Sequence, residues 1–144
     1  MIRIMTVGKL KNRHLAALAA EYLKRCGGMA SCQVVEVKDA DPPREGRAMV
    51  RNLGSAGGNE LVVAMDETGD RIDSRRLADL LGAHGRITFL VGGADGLGDA
   101  ARQRAHRSLR LSDLTLPHEL ARVLLLEQIY RGLCINRNRP YHRG

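Results

Sequence analysis

Two glycines, Gly92 and Gly93, follow directly after an apolar run at residues 87–91. A glycine lets a ligand approach the backbone closely, and in open α/β sheets ligands bind outside the carboxyl ends of the strands. Residues 96–101 also match the GxGxxA pattern of dinucleotide-binding proteins, but they begin five residues past the run instead of directly after it. The pattern indicates a ligand-binding turn, with a plain tight turn and a nicotinamide-dinucleotide site as the alternatives.

A loop in which leucines alternate with short polar residues is the second candidate, and it lies just before a predicted helix. Leucines can hold a flat apolar ring between them, while backbone N–H and C=O groups read the polar edge of that ring. The alternative is an ordinary connection in which Ser112 or Thr115 caps the following helix. In order, the loop consists of Leu111, Ser112, Asp113, Leu114, Thr115 and Leu116, and Pro117 and His118 follow it.

The end of the chain combines aromatic, imidazole and guanidinium groups. Tyr141, His142 and Arg143 follow Pro140, whose ring stiffens the backbone. These three side chains offer base stacking, proton transfer and phosphate contact, and basic residues mixed with aromatic ones suit unpaired RNA bases. A frayed terminus is the alternative.

Nearly all of the excess positive charge lies in the last third of the sequence. The chain of 144 residues has 23 Lys and Arg and 16 Asp and Glu, a formal net charge of +7. Residues 102–144 hold nine arginines, no lysine and three acidic residues, a net charge of +6. Because arginine suits phosphates and stacks on bases, this segment indicates a polyanionic partner, with nucleic acid first. A solvated basic surface is the alternative.

Strand and helix signals alternate along the chain. Apolar or alternating runs predict strands at 3–7, 32–37, 61–65, 87–91 and 109–111. Helical periodicity and the flanking Gly, Pro and Asp residues predict helices at 12–25, 44–53, 73–81, 99–108 and 118–133, with Asp73 as a cap. This order predicts one α/β domain over residues 1–144, with a largely parallel sheet and right-handed crossovers.

The last predicted helix has more apolar residues than a surface helix needs. They cover well over half of its circumference, whereas a surface helix needs one apolar stripe. A second subunit would cover the remainder, since two-fold dimers are the commonest oligomers, and burial as a central core helix is the alternative. The apolar residues are Leu120, Ala121, Val123, Leu124, Leu125, Leu126, Ile129, Tyr130 and Leu133.

The spacing of cysteines and histidines argues against disulfides and metal ligands. Three cysteines without CxxC spacing indicate reduced thiols in a cytosolic protein, and the five histidines do not pair at ligand spacing. No apolar run approaches the ~20 residues of a membrane span. These features predict a cytoplasmic protein without a metal site or a membrane segment.

Most of the chain resembles the RlmH family of SPOUT-class methyltransferases, most strongly from residue 89 to residue 143. A Leu-Thr-Leu-Pro-His segment at 114–118 together with a terminal Tyr-His-Arg at 141–143 is a specific combination for this family. Residues 90–97, 122–124 and 127–131 also match, as do 7–11, 21–25 and 61–69. The middle of the chain, residues 39–59, is short and divergent.

The resemblance implies a SPOUT fold, in which a parallel sheet of five to six strands is flanked by helices and a deep trefoil knot lies near the C-terminus. It implies that S-adenosyl-L-methionine is the methyl donor. By match of motif, Met65 fills the place of a family leucine at the end of its strand, Gly92 and Gly93 form the glycine turn, and residues 111–116 wrap the adenine.

By the same resemblance, the substrate is N3 of pseudouridine 1915 in 23S rRNA, methylated on the assembled ribosome, and no DNA partner is expected. Tyr141, His142 and Arg143 are implied on the substrate side, in a homodimer formed through the last helix. Because N3 must lose its proton before it attacks the methyl carbon, His118 and His142 are candidate bases, and Arg143 is a candidate to stabilise the resulting anion.

Asp113 places a carboxylate in the implied cofactor loop, where it would repel RNA phosphate or contact the cofactor amine. Three rival functions stay open at this point: a SPOUT methyltransferase for another RNA position, a non-catalytic RNA- or ribosome-binding protein of the same fold, and an NAD-type oxidoreductase. The last is favoured only by residues 96–101 and leaves the arginine-rich tail unexplained.

Overall fold

A computed structural model describes residues 1–54 and 59–144 of the chain. Over these ranges, strands and helices alternate in the predicted order. The strands are β1 (Ile2–Val7), β2 (Cys32–Val37), β3 (Glu60–Arg71), β4 (Arg86–Val91) and β5 (Arg107–Arg110). The helices are α1 (Arg13–Gly27), α2 (Pro42–Leu53), α3 (Ser74–Ala83), α4 (Asp99–Arg104) and α5 (His118–Asn136).

The strands form one parallel sheet in the order β2-β1-β4-β3-β5. Its central strand, β4, is buried from Ile87 to Val91, as expected for a strand covered on both faces. Met65 of β3 lies opposite Val91, the last residue of β4. The α/β class and the five-stranded parallel sheet are therefore confirmed, while the trefoil knot stays a prediction.

The helices cover both faces of the sheet. One core is formed by residues of α1, α3 and α5 packed on side chains such as Ile4 and Phe89. The opposite core is formed by residues of α2 and α4 packed on side chains such as Met5 and Leu90. Neighbouring residues of β1 and β4 thus point into different layers, as alternation along a strand requires.

Helix α5 lies between α1 and α3 and contacts both. Much of its apolar surface is covered within one chain, and Leu120, with 37% of its surface exposed, is the most accessible large apolar residue on it. Burial as a central helix therefore accounts for much of the apolar excess, and the homodimer stays a prediction. The buried residues of α5 are Arg122, Val123, Leu125, Leu126, Ile129, Gly132, Leu133 and Cys134.

The predicted helix at 99–108 is too long, because α4 ends at Arg104 and β5 begins at Arg107. The reason is a pair of hydrogen bonds that joins His106 to Val62, near the start of β3. Its backbone N–H donates to the carbonyl of Val62 over 2.8 Å, and its ring Nδ1 accepts the N–H of Val62 over 2.9 Å. Because these bonds hold His106 against β3, α4 cannot continue through residue 106.

Strand β3 is longer than the predicted 61–65, because a polar extension continues it to Arg71. The pairing with β5 is irregular between Met65 and Asp70, both of which lie opposite Leu109. Gly69 is required there, since a Cβ on it would lie 2.7 Å from the backbone of Leu109. The extension brings Arg71 beside Arg110, next to the leucine-rich loop.

Helix termini follow the sequence signals. Asp73 accepts the N–H of Arg76 over 2.8 Å and caps α3 as predicted, and Asn12 and Asp41 cap α1 and α2 in the same way. Helix α5 runs past the predicted end at 133 to Asn136, whose side-chain amide donates to the carbonyl of Ala78. Among the described residues, no helix combines the length and hydropathy needed to cross a membrane.

Candidate active site

A cavity of about 430 Å³ lies where β4 and β5 end, beside the middle of β3. Its lining comes from residues 65–67 of β3, the turn after β4, Arg102 of α4, the loop after β5 and the first two turns of α5. Eight residues that the sequence assigned to a site contribute to it: Met65, Gly92, Gly93, Leu111, Ser112, Leu114, Leu116 and His118. Two sequence segments chosen for different reasons therefore face each other across one cavity.

The glycine turn, residues 92–97, forms one wall of the cavity. The N–H of Gly96 donates to the carbonyl of Gly93 over 3.1 Å, and Gly96 has a φ of 84°, which favours glycine. A Cβ on Gly92 would lie 2.5 Å from the carbonyl carbon of Gly96. The glycine at 92 is thus required by the tight folding of the turn itself, which presents bare backbone to the cavity.

The leucine loop, residues 111–116, forms the opposite wall. The Ser112 hydroxyl accepts the N–H of Leu114 over 2.9 Å, which folds the loop into a local turn. Leu114 is 75% exposed at the cavity rim, although it is a large apolar residue. Neither Ser112 nor Thr115 caps α5, because Pro117 occupies the N-cap position and no side chain bonds there. The capping role that the ordinary-connection alternative gave to Ser112 or Thr115 is therefore not seen.

Asp113 and Thr115 do not line the cavity. Thr115 is exposed, and the Asp113 carboxylate contacts two arginines, Arg71 and Arg110. Their carboxylate and hydroxyl are therefore not placed against a ligand in the cavity.

The cavity lining also contains a set of charged residues that were not predicted from the sequence. Asp66, Glu67, Asp95, Arg102 and Arg110 all contribute to it. Asp66 and Glu67 follow the apolar run 61–65 as directly as Gly92 follows the run 87–91, so the same rule about strand ends would have found them. Arg102 and Arg110 give no local signal of this kind.

Asp66 is the most enclosed of these charged groups, since its side chain is 9% exposed. Its Oδ1 accepts the backbone N–H and the hydroxyl of Thr68, each over 3.0 Å, and its Oδ2 accepts Nε of Arg102 over 2.5 Å. Burial opposes ionisation, but the Thr68 and Arg102 donors outweigh it and hold the pKa of Asp66 below its usual value. The cavity therefore contains a fixed carboxylate.

His118 is the first residue of α5 and lines the cavity at its exposed rim. The next turn of the helix adds Ala121 and Leu125. An imidazole at a rim can reach both a bound molecule inside and a second one arriving from solvent.

The tail residues do not reach this cavity within the chain. Tyr141, His142 and Arg143 are absent from its lining, and they lie beside the part of α5 around Arg131. At 1.5 Å per residue, Arg131 is about 9 Å along the helix from Leu125, the nearest α5 residue in the lining. The structure therefore separates the two groups of residues that the sequence assigned to one site.

The tail packs into an aromatic and charged group on α1 and α5, here termed the tail cluster (Tyr22, Glu127, Tyr130, Arg131, Tyr141 and His142). The rings of Tyr130 and Tyr141 meet edge to face with centroids 4.7 Å apart. The Tyr141 hydroxyl lies 3.4 Å from both the Tyr22 hydroxyl and Oε2 of Glu127. Burial, Tyr22 and Glu127 raise the pKa of Tyr141, so this phenol keeps its proton near neutral pH.

Arg131 determines the tautomer of His142. Its Nη1 lies 3.2 Å from Nδ1 of His142, and its other guanidinium nitrogens bind Glu127. Arginine has only donors, so Nδ1 accepts, and the imidazole carries its proton on Nε2. The cluster thus orders the tail instead of leaving it frayed.

The three cysteines are free, and Cys26 and Cys134 are buried. A hydrogen bond with the Cys32 thiol and burial raise the pKa of Cys26, so the Cys26 thiol does not suit nucleophilic chemistry. Within residues 1–54 and 59–144, no three His, Cys, Asp or Glu side chains converge as a metal ion requires.

The dinucleotide-like pattern at 96–101 has a packing explanation. Gly98 lies against the carbonyl of Pro42, where a Cβ would clash, and it precedes α4, a helix of six residues. This glycine therefore allows α4 to pack on α2 and does not indicate a phosphate site.

Comparison with known proteins agrees with this geometry. A family model described as "Predicted SPOUT methyltransferase" matches residues 1–142. A protein named "Ribosomal RNA large subunit methyltransferase H" from Desulfovibrio desulfuricans is 46% identical, with 98% of this chain and 96% of the relative covered. A protein of the same name from Enterococcus faecalis is 36% identical, with 99% of both chains covered.

Solved structures share the fold at low identity. The SpoU methyltransferase AviRb from Streptomyces viridochromogenes, solved in complex with the cofactor AdoMet, has a TM-score of 0.54 and 17% identity, with 90% of this chain and 56% of that one covered. The TrmH/SpoU tRNA modifying enzyme of A. aeolicus has a TM-score of 0.53 and 13% identity, with 99% of this chain and 81% of that one covered. With matches over nearly its whole length to the family model and to these relatives, the chain belongs to the SPOUT methyltransferase family, among the RlmH-type proteins.

Proposed function

We propose that this protein transfers a methyl group from S-adenosyl-L-methionine to N3 of pseudouridine 1915 in 23S rRNA, on the assembled ribosome. The observation that carries the proposal is the cavity between the glycine turn and the leucine loop, in a chain 36–46% identical to proteins named for large-subunit ribosomal RNA methylation. The excess of arginine after residue 101 supports a polyanionic substrate.

The cavity fits the proposed cofactor in size and in chemistry. A volume of about 430 Å³ suits a molecule of nucleoside size. Leu111, Leu114 and Leu116 offer apolar contact to an adenine ring, and the bare backbone of the glycine turn offers hydrogen bonds to its edge. Asp66, ion-paired with Arg102, supplies a fixed carboxylate within reach of a hydroxyl-bearing group.

When bound, S-adenosyl-L-methionine supplies an activated methyl group on a sulfonium. The residues of the protein have two remaining tasks, which are to orient the base and to remove its N3 proton. We assign the second task to His118, because it is the one histidine in the lining of the cavity. Tyr141 keeps its proton and is therefore not the acceptor of the N3 proton.

We further propose that the working enzyme is a homodimer formed through α5, in which the tail of one subunit completes the cavity of the other. The support is the separation of the tail cluster from the cavity within one chain. His142 and Arg143 would then hold the RNA against the partner's cavity, with Arg143 placed to stabilise the anionic base.

A complementation experiment tests the shared site. One subunit carries Gly92→Ala in the cavity, and the other lacks residues 140–144. Mixed dimers in which the tail acts across the interface regain one intact site, whereas either variant alone is strongly impaired at a limiting cofactor concentration. If the mixture is no more active than its components, each site is built within one subunit.

The function itself is tested by mapping methyl groups on 23S rRNA by mass spectrometry after incubation with the purified protein. The donor is labelled S-adenosyl-L-methionine, and the substrates are assembled ribosomes, isolated large subunits and free rRNA from a strain that lacks this activity. We expect one added methyl on pseudouridine 1915, greatest with assembled ribosomes. A methyl at a different nucleotide would indicate another SPOUT specificity, and none on any substrate would favour a non-catalytic binder.

A further inference from the structure

We infer that Asp113 is a positioning residue that holds the leucine loop in its ligand-binding form through Arg71 and Arg110. The inference rests on the proposed function, since the leucine loop matters only if it binds the cofactor. Asp113 itself does not line the cavity, so it acts through the loop and not by contact with a ligand.

Two arginines face each other where β3 pairs with β5. Arg71 lies directly opposite Arg110 in the parallel register. Like charges in that position repel each other and destabilise the pair of strands. The end of the β3 extension therefore needs a negative charge between the two guanidinium groups to stay paired with β5.

Asp113 supplies that charge. Its Oδ1 accepts Nε of Arg71 over 3.1 Å, and its Oδ2 lies 2.8 Å from Nη2 of the same arginine, a two-point contact. Its Oδ1 also lies 3.3 Å from Nε of Arg110. A single carboxylate thus joins the end of β3, the end of β5 and the loop that follows β5.

This junction restrains the residues that face the cavity. Asp113 lies between Ser112 and Leu114 in the sequence, and both of these neighbours line the cavity. Leu114 is 75% exposed, so it has few packing contacts that would hold it in place. Removal of the carboxylate leaves the turn made by Ser112 and Leu114 without its link to β3. The loop then samples more conformations, and a ligand must order it on binding.

The solvent exposure of the Arg71–Asp113 ion pair limits its expected effect on cofactor affinity. The side chains of Arg71 and Asp113 are 73% and 56% exposed, and exposed ion pairs contribute little each and are screened by salt. We therefore expect Asp113→Asn to weaken cofactor binding by roughly twofold to fivefold, and less at high salt. Asp113→Glu keeps the charge and should retain most of the affinity.

The test is calorimetric titration of the purified protein with S-adenosylhomocysteine at about 0.05 M and about 0.5 M salt, with hydrogen–deuterium exchange of the unliganded loop. The variants are Asp113→Asn, Asp113→Glu, Arg71→Gln and the double variant Arg71→Gln/Asp113→Asn. Asp79→Asn is the matched control, because it removes the same charge from an exposed position on α3. Amides of residues 111–116 should exchange faster in Asp113→Asn than in the wild type or the control.

The effects of Arg71→Gln and Asp113→Asn on cofactor affinity should not be additive. Once Asp113 is neutral, Arg71→Gln has no ion pair to lose and removes the repulsion with Arg110, so the double variant should bind more tightly than Asp113→Asn alone. Equal affinity and equal loop exchange in wild type and Asp113→Asn would overturn the inference and leave the proposed function intact. Absence of binding by the wild type would overturn the cofactor assignment, and the inference with it.

Discussion

The guanidinium of Arg122 donates Nη1 to the carbonyl oxygen of Gly8 over 2.9 Å, which joins the last helix to the end of the first strand. Its Nη2 binds Oε2 of Glu36 at the end of β2, also over 2.9 Å. One turn earlier, the Glu119 carboxylate accepts the N–H groups of Lys11 and Asn12. These contacts fix the part of α5 that carries His118 and lines the cavity.

Replacement of Arg122 by methionine should lower the free energy of unfolding by about 2 kcal/mol. Arg122 is 8% exposed, so its loss leaves the Gly8 carbonyl without its donor, whereas Glu36 is 36% exposed and regains water. Urea unfolding at pH 7 measures the change. Arg76→Met on the exposed surface of α3 is the control, and an equally small effect of both variants would show that the contact with Gly8 adds no stability.

Gly92→Ala should weaken cofactor binding more than tenfold, because the added Cβ would lie 2.5 Å from the carbonyl carbon of Gly96 and 2.7 Å from the nitrogen of Leu97. The turn must open to relieve these contacts, and backbone shifts of this kind cost about 1–3 kcal/mol. Calorimetry with S-adenosylhomocysteine measures the loss. Gly27→Ala is the matched control, since a Cβ there meets nothing within 4 Å. Unchanged affinity in Gly92→Ala would mean that the turn is not part of the binding site.

The Arg3–Glu60–Thr88 group makes stability depend on pH. Burial opposes ionisation of Glu60, whose side chain is 6% exposed, but the Thr88 hydroxyl and the Arg3 guanidinium, 2.6 Å away, outweigh it and lower the pKa of Glu60 below its usual 4.5. The stability this contributes is therefore fully present above about pH 5 and is lost as the pH falls through the lowered value.

Glu60→Gln should therefore lower the free energy of unfolding at pH 7. It should also make that free energy fall less steeply between about pH 5 and about pH 3, the range in which carboxyl groups usually titrate. Thermal unfolding of both proteins across this interval measures the difference. Glu21→Gln, which alters an exposed pair on α1, should follow the wild-type curve. Parallel curves for wild type and Glu60→Gln would show that the Glu60 carboxylate is not linked to folding.

Single-turnover kinetics should distinguish the roles of His118 and His142. His118→Ala should slow methyl transfer by about 10²–10⁴-fold if it removes the N3 proton, with cofactor affinity little changed. His142→Ala should mainly weaken RNA binding, because its Nδ1 is committed to Arg131. A His118→Ala enzyme with the wild-type single-turnover rate would exclude that histidine as the base.

The parts of the site that were predictable from sequence are those with local signals. Gly92 and Gly93 follow an apolar run, and the leucine loop precedes a helix, so each could be recognised from neighbouring residues. The parts that were not predictable depend on contacts between distant segments. Arg110 reaches the cavity because β5 pairs with the polar extension of β3, and no local pattern marks an extension that includes Gly69 and Asp70 as strand.

The same reason explains the error at the start of β5. Residues 99–108 have helical composition, but His106 pairs with Val62 through both its backbone and its ring, and Val62 lies 44 residues earlier. The position of the tail was beyond sequence analysis too. Its neighbours Tyr22 and Glu127 lie on two different helices, and the tail was assigned to the cavity only through the family motif.

The most direct test is a crystal structure of the protein with S-adenosylhomocysteine. The adenine should lie between the glycine turn and the leucine loop, against Leu111, Leu114 and Leu116, with the sulfur directed toward the rim at His118. A ligand bound elsewhere on the chain, or the leucine loop closed onto Gly92 and Gly93 with the cavity filled by side chains, would contradict the account.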